Sequence, residues 1–178
     1  MLNRVVFLAL LVALLVSTTQ AQVISLGPQL GFQKTKDTEK GGMLVGATLR
    51  LKLSAALKAE GVIAYRQEKE NDGALTIRSW PIMVTGLLYP LPILYGAVGA
   101  GWHNTTFDYD QNQVPLKDET SQEFGWHFGG GIELPIGGKT KLVGDVRFVF
   151  LNFKFDQIPF QDVKGDFYIV SGGILFGL

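Results

Sequence analysis

Apolar and polar residues alternate with a period of two along most of the chain beyond its N-terminal segment. Between Met43 and Leu53 the odd positions are apolar, while the even positions include Thr48, Arg50 and Lys52. The stretch from Leu57 to Tyr65 repeats the pattern. Since successive side chains of a β-strand point to opposite faces of the sheet, this alternation predicts strands with one apolar and one polar face.

Eight segments of this kind are predicted along the chain. They lie near Ile24–Gln33, Met43–Leu53, Leu57–Arg66, Leu75–Leu88, Ile93–Phe107, Glu123–Leu134, Thr140–Phe153 and Phe167–Leu178. Runs of this length exceed the ~5 to 6 residues typical of soluble sheets and match the ~9 to 11 tilted residues that cross a bilayer. The predicted fold is therefore all-β, an eight-stranded antiparallel up-and-down transmembrane β-barrel.

The connections between these segments alternate between long and short. Long ones such as Asp108 to Gln122 are rich in polar residues, whereas short ones such as Pro135 to Lys139 contain proline and glycine. Membrane barrels place long loops on the outside and tight turns on the periplasmic side. We therefore expect both chain termini to be periplasmic.

Two prolines fall inside predicted strands. Pro28 lies in the first and Pro81 in the fourth, and each removes a backbone donor from the ladder. Bulges are one of the few places where a sheet accepts proline. We therefore expect a bulge or a change of phase at each proline.

The N-terminal segment predicts export. Arg4 precedes an apolar run from Val5 to Val16, which is too short for a ~30 Å hydrocarbon core, and small and polar residues follow up to Ala21. This order is typical of a secretory signal peptide. We predict a signal peptide over 1–21, cleaved after Ala21, and a barrel domain over 22–178.

The net charge and the cysteine content limit the classes of partner and cofactor that the chain can bind. Removal of Arg4 from the 16 basic side chains leaves 15 against 16 acidic ones, a net charge of −1, and the chain contains no cysteine. No overall field attracts nucleic acid, and neither disulfides nor thiolate metal sites can form. We predict no nucleic-acid partner and no cofactor.

If the apolar faces meet lipid, the charged faces point into the lumen. An eight-stranded barrel is only wide enough for side chains to fill its interior, so these charges predict an ion-paired plug rather than a water channel. Inward glycines such as Gly99 and Gly129 are expected to make room for long side chains. The predicted lumen network consists of Arg50, Lys52, Lys58, Glu60, Arg66, His127, Glu133, Asp145 and Arg147.

Aromatic residues near strand ends or on the apolar faces predict the girdles that membrane barrels place at the lipid–water interfaces. The residues assigned to them are Tyr65, Trp80, Tyr89, Trp102, Trp126, Tyr168 and Phe176.

The two histidines do not predict a metal site or a catalytic site. His103 and His127 flank the third long connection almost symmetrically, so we expect them to be neighbours across strands. Without a carboxylate at a fixed spacing, they are expected to fill the lumen rather than to bind a metal or catalyse. A lipid-modifying acyl hydrolase would need a serine close to the histidine, but Gly129 stands two residues after His127. We predict no metal site and no enzyme.

Six segments combine the alternation with glycine, namely Gly46–Ser54, Glu60–Arg66, Trp80–Met83, Gly96–Gly101, Phe124–Leu134 and Gly144–Phe148. Together they resemble the outer-membrane protein β-barrel domain family, the small porin-like barrels. The resemblance implies an integral protein of the outer membrane of a two-membrane bacterium and supplies no catalytic residue. It implies membrane lipid and lipopolysaccharide as surroundings, barrel-insertion machinery as a partner during biogenesis, and a monomer. Such barrels commonly finish on an aromatic residue, whereas this chain finishes on Leu178.

The leading functional hypothesis is a non-enzymatic barrel with a plugged lumen, whose exposed loops serve surface interaction or envelope structure. A narrow passive pore for small solutes is the alternative, and replacing Arg50, Glu133 or Arg147 would then change conductance. A soluble exported barrel that binds a ligand inside would require the two faces to be reversed, which would expose a large apolar patch to water.

Overall fold

Nine β-strands make up nearly all of the chain that the structure describes. The structure is a computed structural model, and it describes residues 24–35, 41–70, 75–109, 119–153, 163–164 and 166–178. None of these residues forms a helix long and apolar enough to cross a membrane. The predicted signal peptide lies outside the described residues. The strands are β1 (Ile24–Thr35), β2 (Gly41–Lys52), β3 (Leu57–Glu70), β4 (Leu75–Leu91), β5 (Leu94–Tyr109), β6 (Glu119–Gly137), β7 (Thr140–Phe153), β8 (Val163–Lys164) and β9 (Phe167–Gly177).

Eight of these strands close into a barrel. Each strand from β1 to β7 pairs antiparallel with the next, and β9 pairs with both β1 and β7. The two-residue β8 extends the end of β7. The predicted eight-stranded antiparallel barrel is confirmed, and its closure satisfies the backbone groups that an open sheet would leave at its edges.

Alternation in the sequence becomes alternation between the lumen and the outer surface. In β2 the outward Met43 and Val45 are 65% and 54% exposed, while the inward Thr48 and Arg50 are both 2% exposed. The same division runs through every long strand, and it gives the barrel a continuous apolar outer belt. Its members on β4 to β6 include Ile82, Val84, Leu88, Val98, Trp102, Phe124, Trp126, Phe128 and Ile132.

Neither proline changes the register of its strand. Pro28 stays in one register with β2, and the pairing with β9 skips two residues and then resumes in the same register. Pro81 lies opposite His103 on β5, and the pairing with β3 likewise resumes unchanged beyond it. The predicted bulge or change of phase is therefore wrong at both positions. A missing donor interrupts pairing with one neighbour, while the other neighbour holds the strand in place.

The two ends of the barrel differ. Within the described ranges, three connections lie at the end where β1 begins and β9 ends, which we call the short-turn end: residues 53–56, 92–93 and 138–139. At the opposite, long-loop end, the strands extend beyond their predicted bounds. β3 continues to Glu70 rather than Arg66, and β6 already begins at Glu119 rather than Glu123.

Outward side chains on the β6 extension contact outward side chains of β5. Gln122 Nε2 donates to Asn104 Oδ1 at 2.6 Å, and the hydroxyl oxygens of Thr106 and Thr120 are 3.1 Å apart. These polar pairs lie beyond Trp102 and Phe124, so they mark where the apolar belt ends on β5 and β6.

Candidate functional site in the barrel lumen

Charged side chains fill the half of the lumen nearest the short-turn end. Arg147 Nη2 lies 2.5 Å from Glu60 Oε1 and 2.8 Å from Asp145 Oδ2. Arg50 stands directly opposite Glu60 in the β2–β3 register and pairs with its other oxygen. Buried charges are costly unless they are paired and hydrogen-bonded, and this arrangement gives each of them an opposite charge at contact distance.

Glu133 on β6 connects this cluster to the mouth of the barrel. Its Oε2 accepts hydrogen bonds from Arg50 Nη1 at 2.7 Å and from the Tyr89 hydroxyl at 2.5 Å. Its Oε1 accepts from Lys58 Nζ at 2.6 Å and pairs with Lys141 Nζ at 2.8 Å. One carboxylate therefore holds three cations and a phenol from four different strands.

Neutral polar side chains complete the network on the opposite side. Tyr95 donates to Asp145 Oδ2 at 3.0 Å, and Ser171 donates to Asp145 Oδ1 at 2.8 Å. Gln29 Nε2 donates to Ser171 at 2.6 Å, which extends the network to β1. Tyr95 was not predicted in the lumen. The period of two in β5 carries the signal, because Tyr95 shares its inward face with Ala97 and His103.

Apolar side chains fill the next level of the lumen, toward the long-loop end. They form one buried cluster of Leu44, Val62, Ala64, Met83, Val149, Leu151, Phe167 and Ile169. Sequence reasoning did not predict this second level, because it took only the charged residues of each inward face. The lumen is thus filled at two successive levels along the barrel axis, one by the charged network and one by the apolar cluster.

Two residues predicted for the lumen network lie outside it. Arg66 points inward near the long-loop end, where it pairs with Glu68 on its own strand. Lys52 is the last residue of β2 and lies exposed at the short-turn rim. The structure brings the other predicted members together in the charged half, and both exceptions sit where the inward face of a strand reaches an opening of the barrel.

Tyr89 was assigned to an aromatic girdle, but it points into the lumen and is only 7% exposed. The error came from ending the fourth strand at Leu88, whereas β4 continues to Leu91 and keeps Tyr89 on the same face as Thr85 and Leu87. The other six assigned aromatics face outward or are half-exposed, namely Tyr65, Trp80, Trp102, Trp126, Tyr168 and Phe176.

The predicted pairing of the two histidines is also wrong. The β5–β6 register places His103 opposite Glu123 and His127 opposite Gly99, so the two rings lie at different levels. His127 Nε2 is 2.9 Å from the Thr85 hydroxyl, and the His103 ring packs edge-on against Phe167 with centroids 5.6 Å apart. Among the described residues, no group of three or more His, Cys, Asp or Glu is placed to hold a metal ion.

A family model described as the outer membrane protein beta-barrel domain matches residues 6–174, nearly the whole chain. The chain belongs to this family. It is therefore a non-enzymatic small barrel of the bacterial outer membrane, and the apolar belt is the surface that meets lipid. No match was found among the curated proteins.

Solved structures share the fold at low sequence identity. Neisserial surface protein A has a TM-score of 0.61 and 10% identity, with 88% of this chain and 97% of that chain covered. A major outer membrane protein from Thermus thermophilus has a TM-score of 0.63 and 11% identity, with 89% and 100% covered. Ail of Yersinia pestis, in complex with the heparin analogue sucrose octasulfate, has a TM-score of 0.50 and 17% identity, with 87% and 97% covered.

Proposed function

We propose that this chain is a closed, non-conducting monomeric barrel that presents its long-loop end outside the cell for surface interaction or envelope structure. Its surroundings are membrane lipid and lipopolysaccharide, and the barrel-insertion machinery meets it during biogenesis. The observation that carries the proposal is the filling of the lumen at two successive levels. An ion path would have to cross both the paired charges around Glu133 and the apolar cluster around Val62 and Val149.

The apolar level is the stronger argument against the alternative, a narrow pore. Ion pairs can exchange partners and admit water, but an apolar constriction strips a permeating ion of its hydration and offers nothing in return. Met83, Val149, Leu151 and Ile169 are each at most 3% exposed, so the cluster is tightly filled.

The long-loop end is the part of the barrel that we assign to surface interaction. Membrane barrels of this kind place their longer loops outside the cell, and the polar pairs between β5 and β6 lie beyond the apolar belt at the long-loop end. Ail, which shares the fold, is described as an attachment invasion locus protein. A binding role for the outer end of this chain is consistent with both observations.

Planar-bilayer recording tests the closed lumen. We expect no discrete conductance steps from the purified barrel under conditions in which a general porin gives them. The double variant Val62→Ser/Val149→Ser, placed in the apolar cluster, is the matched comparison because it makes that level polar while leaving the charged network intact. Discrete steps from the unmodified barrel that change size in Arg147→Lys would establish the pore instead.

Lipopolysaccharide binding tests the outer end. Because a ligand that binds only the folded state stabilises it, we expect vesicles with lipopolysaccharide to raise the unfolding midpoint of the barrel above that in phospholipid alone. Arg78 on β4 pairs with Asp108 on β5. The variant Arg78→Gln/Gln122→Ala removes this ion pair and the hydrogen bond from Gln122 to Asn104, and it should reduce the shift. Identical unfolding midpoints with and without lipopolysaccharide would exclude lipopolysaccharide as a partner. They would not contradict the closed lumen.

A further inference from the structure

A cavity of about 480 Å³ opens at the short-turn end, just outside the charged network. Its walls are apolar, with Ala55 and Ala56 on one side and Pro90 and Leu91 on another, while Lys52, Lys58, Lys141 and Glu133 supply the polar groups. Small-molecule sites typically have about 300 to 1,000 Å³ and combine apolar walls with a few polar groups. The cavity faces the periplasm, because membrane barrels place their short turns there.

Two of its lysines oppose each other directly. Lys52 and Lys58 are partners in the β2–β3 register, and like charges in such a position repel. Lys58 is neutralised by Glu133, but no carboxylate among the described residues pairs with Lys52. An anion between them would remove the repulsion.

The charges around the cavity do not balance. The charged network contains four cations, Arg50, Lys58, Lys141 and Arg147, against three carboxylates, Glu60, Glu133 and Asp145. Lys52 raises the excess to two positive charges. Residues 53–56, 90–93 and 135–139, which form the connections and adjoining strand ends at this rim, contain no acidic side chain, so no side-chain carboxylate in these segments offsets the excess.

From the cavity and this excess, we propose that the short-turn mouth binds a small organic anion. Its carboxylate or phosphate group lies between Lys52, Lys58 and Lys141, and its apolar part packs against Ala55, Pro90 and Leu91. The site goes beyond the closed barrel proposed above, since it is reached from the periplasm and needs no path through the lumen. Conductance and anion binding can therefore fail independently.

Titration calorimetry on the full barrel in a non-ionic detergent tests the site, with phenyl phosphate and benzoate as probes. We expect both to bind, benzylammonium not to bind, and the affinity to fall as salt rises from about 0.05 to about 0.5 M. Lys52→Gln should weaken binding at least about fivefold, the effect of one contacting charge in water. Lys52 is exposed, so this variant is expected to fold normally. The matched control is Lys34→Gln at the long-loop end, which should bind like the unmodified barrel.

Phospholipid nanodiscs distinguish two sources of the anion. If a lipid headgroup supplies it, discs containing phosphatidylglycerol should weaken phenyl phosphate binding relative to phosphatidylcholine discs, and Lys52→Gln should abolish the difference. Equal binding in both discs would identify a soluble periplasmic anion. The proposal is overturned if neither probe binds, if benzylammonium binds as well as benzoate, or if Lys52→Gln and Lys34→Gln bind alike.

Discussion

Glu133 is the residue on which the charged half of the lumen depends. It holds Arg50, Lys58 and Lys141 at contact distance, so Glu133→Gln leaves three neighbouring cations with reduced compensation. Breaking a buried ion pair by removing one partner costs about 3 to 5 kcal/mol. We expect the free energy of unfolding to fall by about 3 kcal/mol, measured by urea titration in lipid vesicles with tryptophan fluorescence.

Glu123→Gln is the control for this change. Glu123 is half-buried near the long-loop end and accepts a hydrogen bond from Ser121 at 3.0 Å, which glutamine can keep. We expect a change within about 0.5 kcal/mol, as for most surface substitutions. Equal effects of the two variants would show that the network around Glu133 contributes no specific stability.

Gly129 shows that an inward glycine can allow two strand backbones to approach closely rather than make room for side chains. We predicted that it makes room for long cations, but a Cβ there would lie 2.9 Å from Arg147 Cα and still closer to the Val146 carbonyl oxygen. The neighbouring strand β7 occupies the space and cannot retreat without breaking the ladder. Gly129→Ala should therefore destabilise the barrel by about 1 to 3 kcal/mol in the same urea titration.

Gly61→Ala provides the comparison on the outer surface. A Cβ at Gly61 would meet no atom within 4 Å, so alanine should be tolerated there or should stabilise slightly by restricting the unfolded chain. If Gly129→Ala unfolds at the same urea concentration as Gly61→Ala, the close approach of β7 has no energetic consequence.

At the scale of strands, the extensions at the long-loop end turn predicted loop into ladder. Ser121 and Thr120 fell in a predicted connection, yet they pair with Thr105 and Thr106 in the unbroken β5–β6 register. We expect hydrogen exchange to show protected amides along this stretch, because interstrand hydrogen bonds must open before exchange.

The turn residues Ala55 and Ala56 provide the unprotected reference, since they lie between strands at the short-turn end. Exchange at Thr120 and Ser121 as fast as in this turn would restore the predicted loop. The sequence alone does not reveal the extension, because these residues are polar on both faces and the period-two contrast disappears where lipid no longer meets the outer face.

At the scale of the whole molecule, the apolar belt requires the barrel to lie in a bilayer. Val98 lies midway between Leu94 and Trp102 on β5 and is 65% exposed toward lipid. Arginine at the midplane of such a barrel costs about 2 to 4 kcal/mol, and the cost falls to about 0 to 1 near the interfaces. We expect Val98→Arg to lower the stability in vesicles by an amount in the first range and Gln122→Arg by an amount in the second.

Gel migration of unheated against heated samples is the folding control for both arginine variants. Equal stability losses for Val98→Arg and Gln122→Arg would mean that the belt does not sit at the depth that the outward residues indicate. If Val98→Arg never folds, the loss of stability is still larger at Val98 than at Gln122, as predicted. The variant Val98→Gln would then give a measurable loss of stability at the midplane.

The sequence by itself determined the barrel, the eight long strands and the face on which nearly every side chain lies. These properties follow from a local period of two, which a strand between lipid and a filled lumen must obey along its whole length. The predicted network members Arg50, Glu60, Glu133, Asp145 and Arg147 were found on this basis. Tyr89 was missed because a strand end, unlike a face, carries no periodic signal.

Only the tertiary structure decided which inward residues meet. Arg50 contacts Glu133, and Arg147 contacts Glu60, across the closed barrel and between residues 83 and 87 positions apart in the chain. The levels at which distant strands face each other depend on every register between them and on closure through β9. The division of the lumen into a charged half and an apolar half therefore exists only once the ring is complete, and the basic mouth that we propose as an anion site depends on it in the same way.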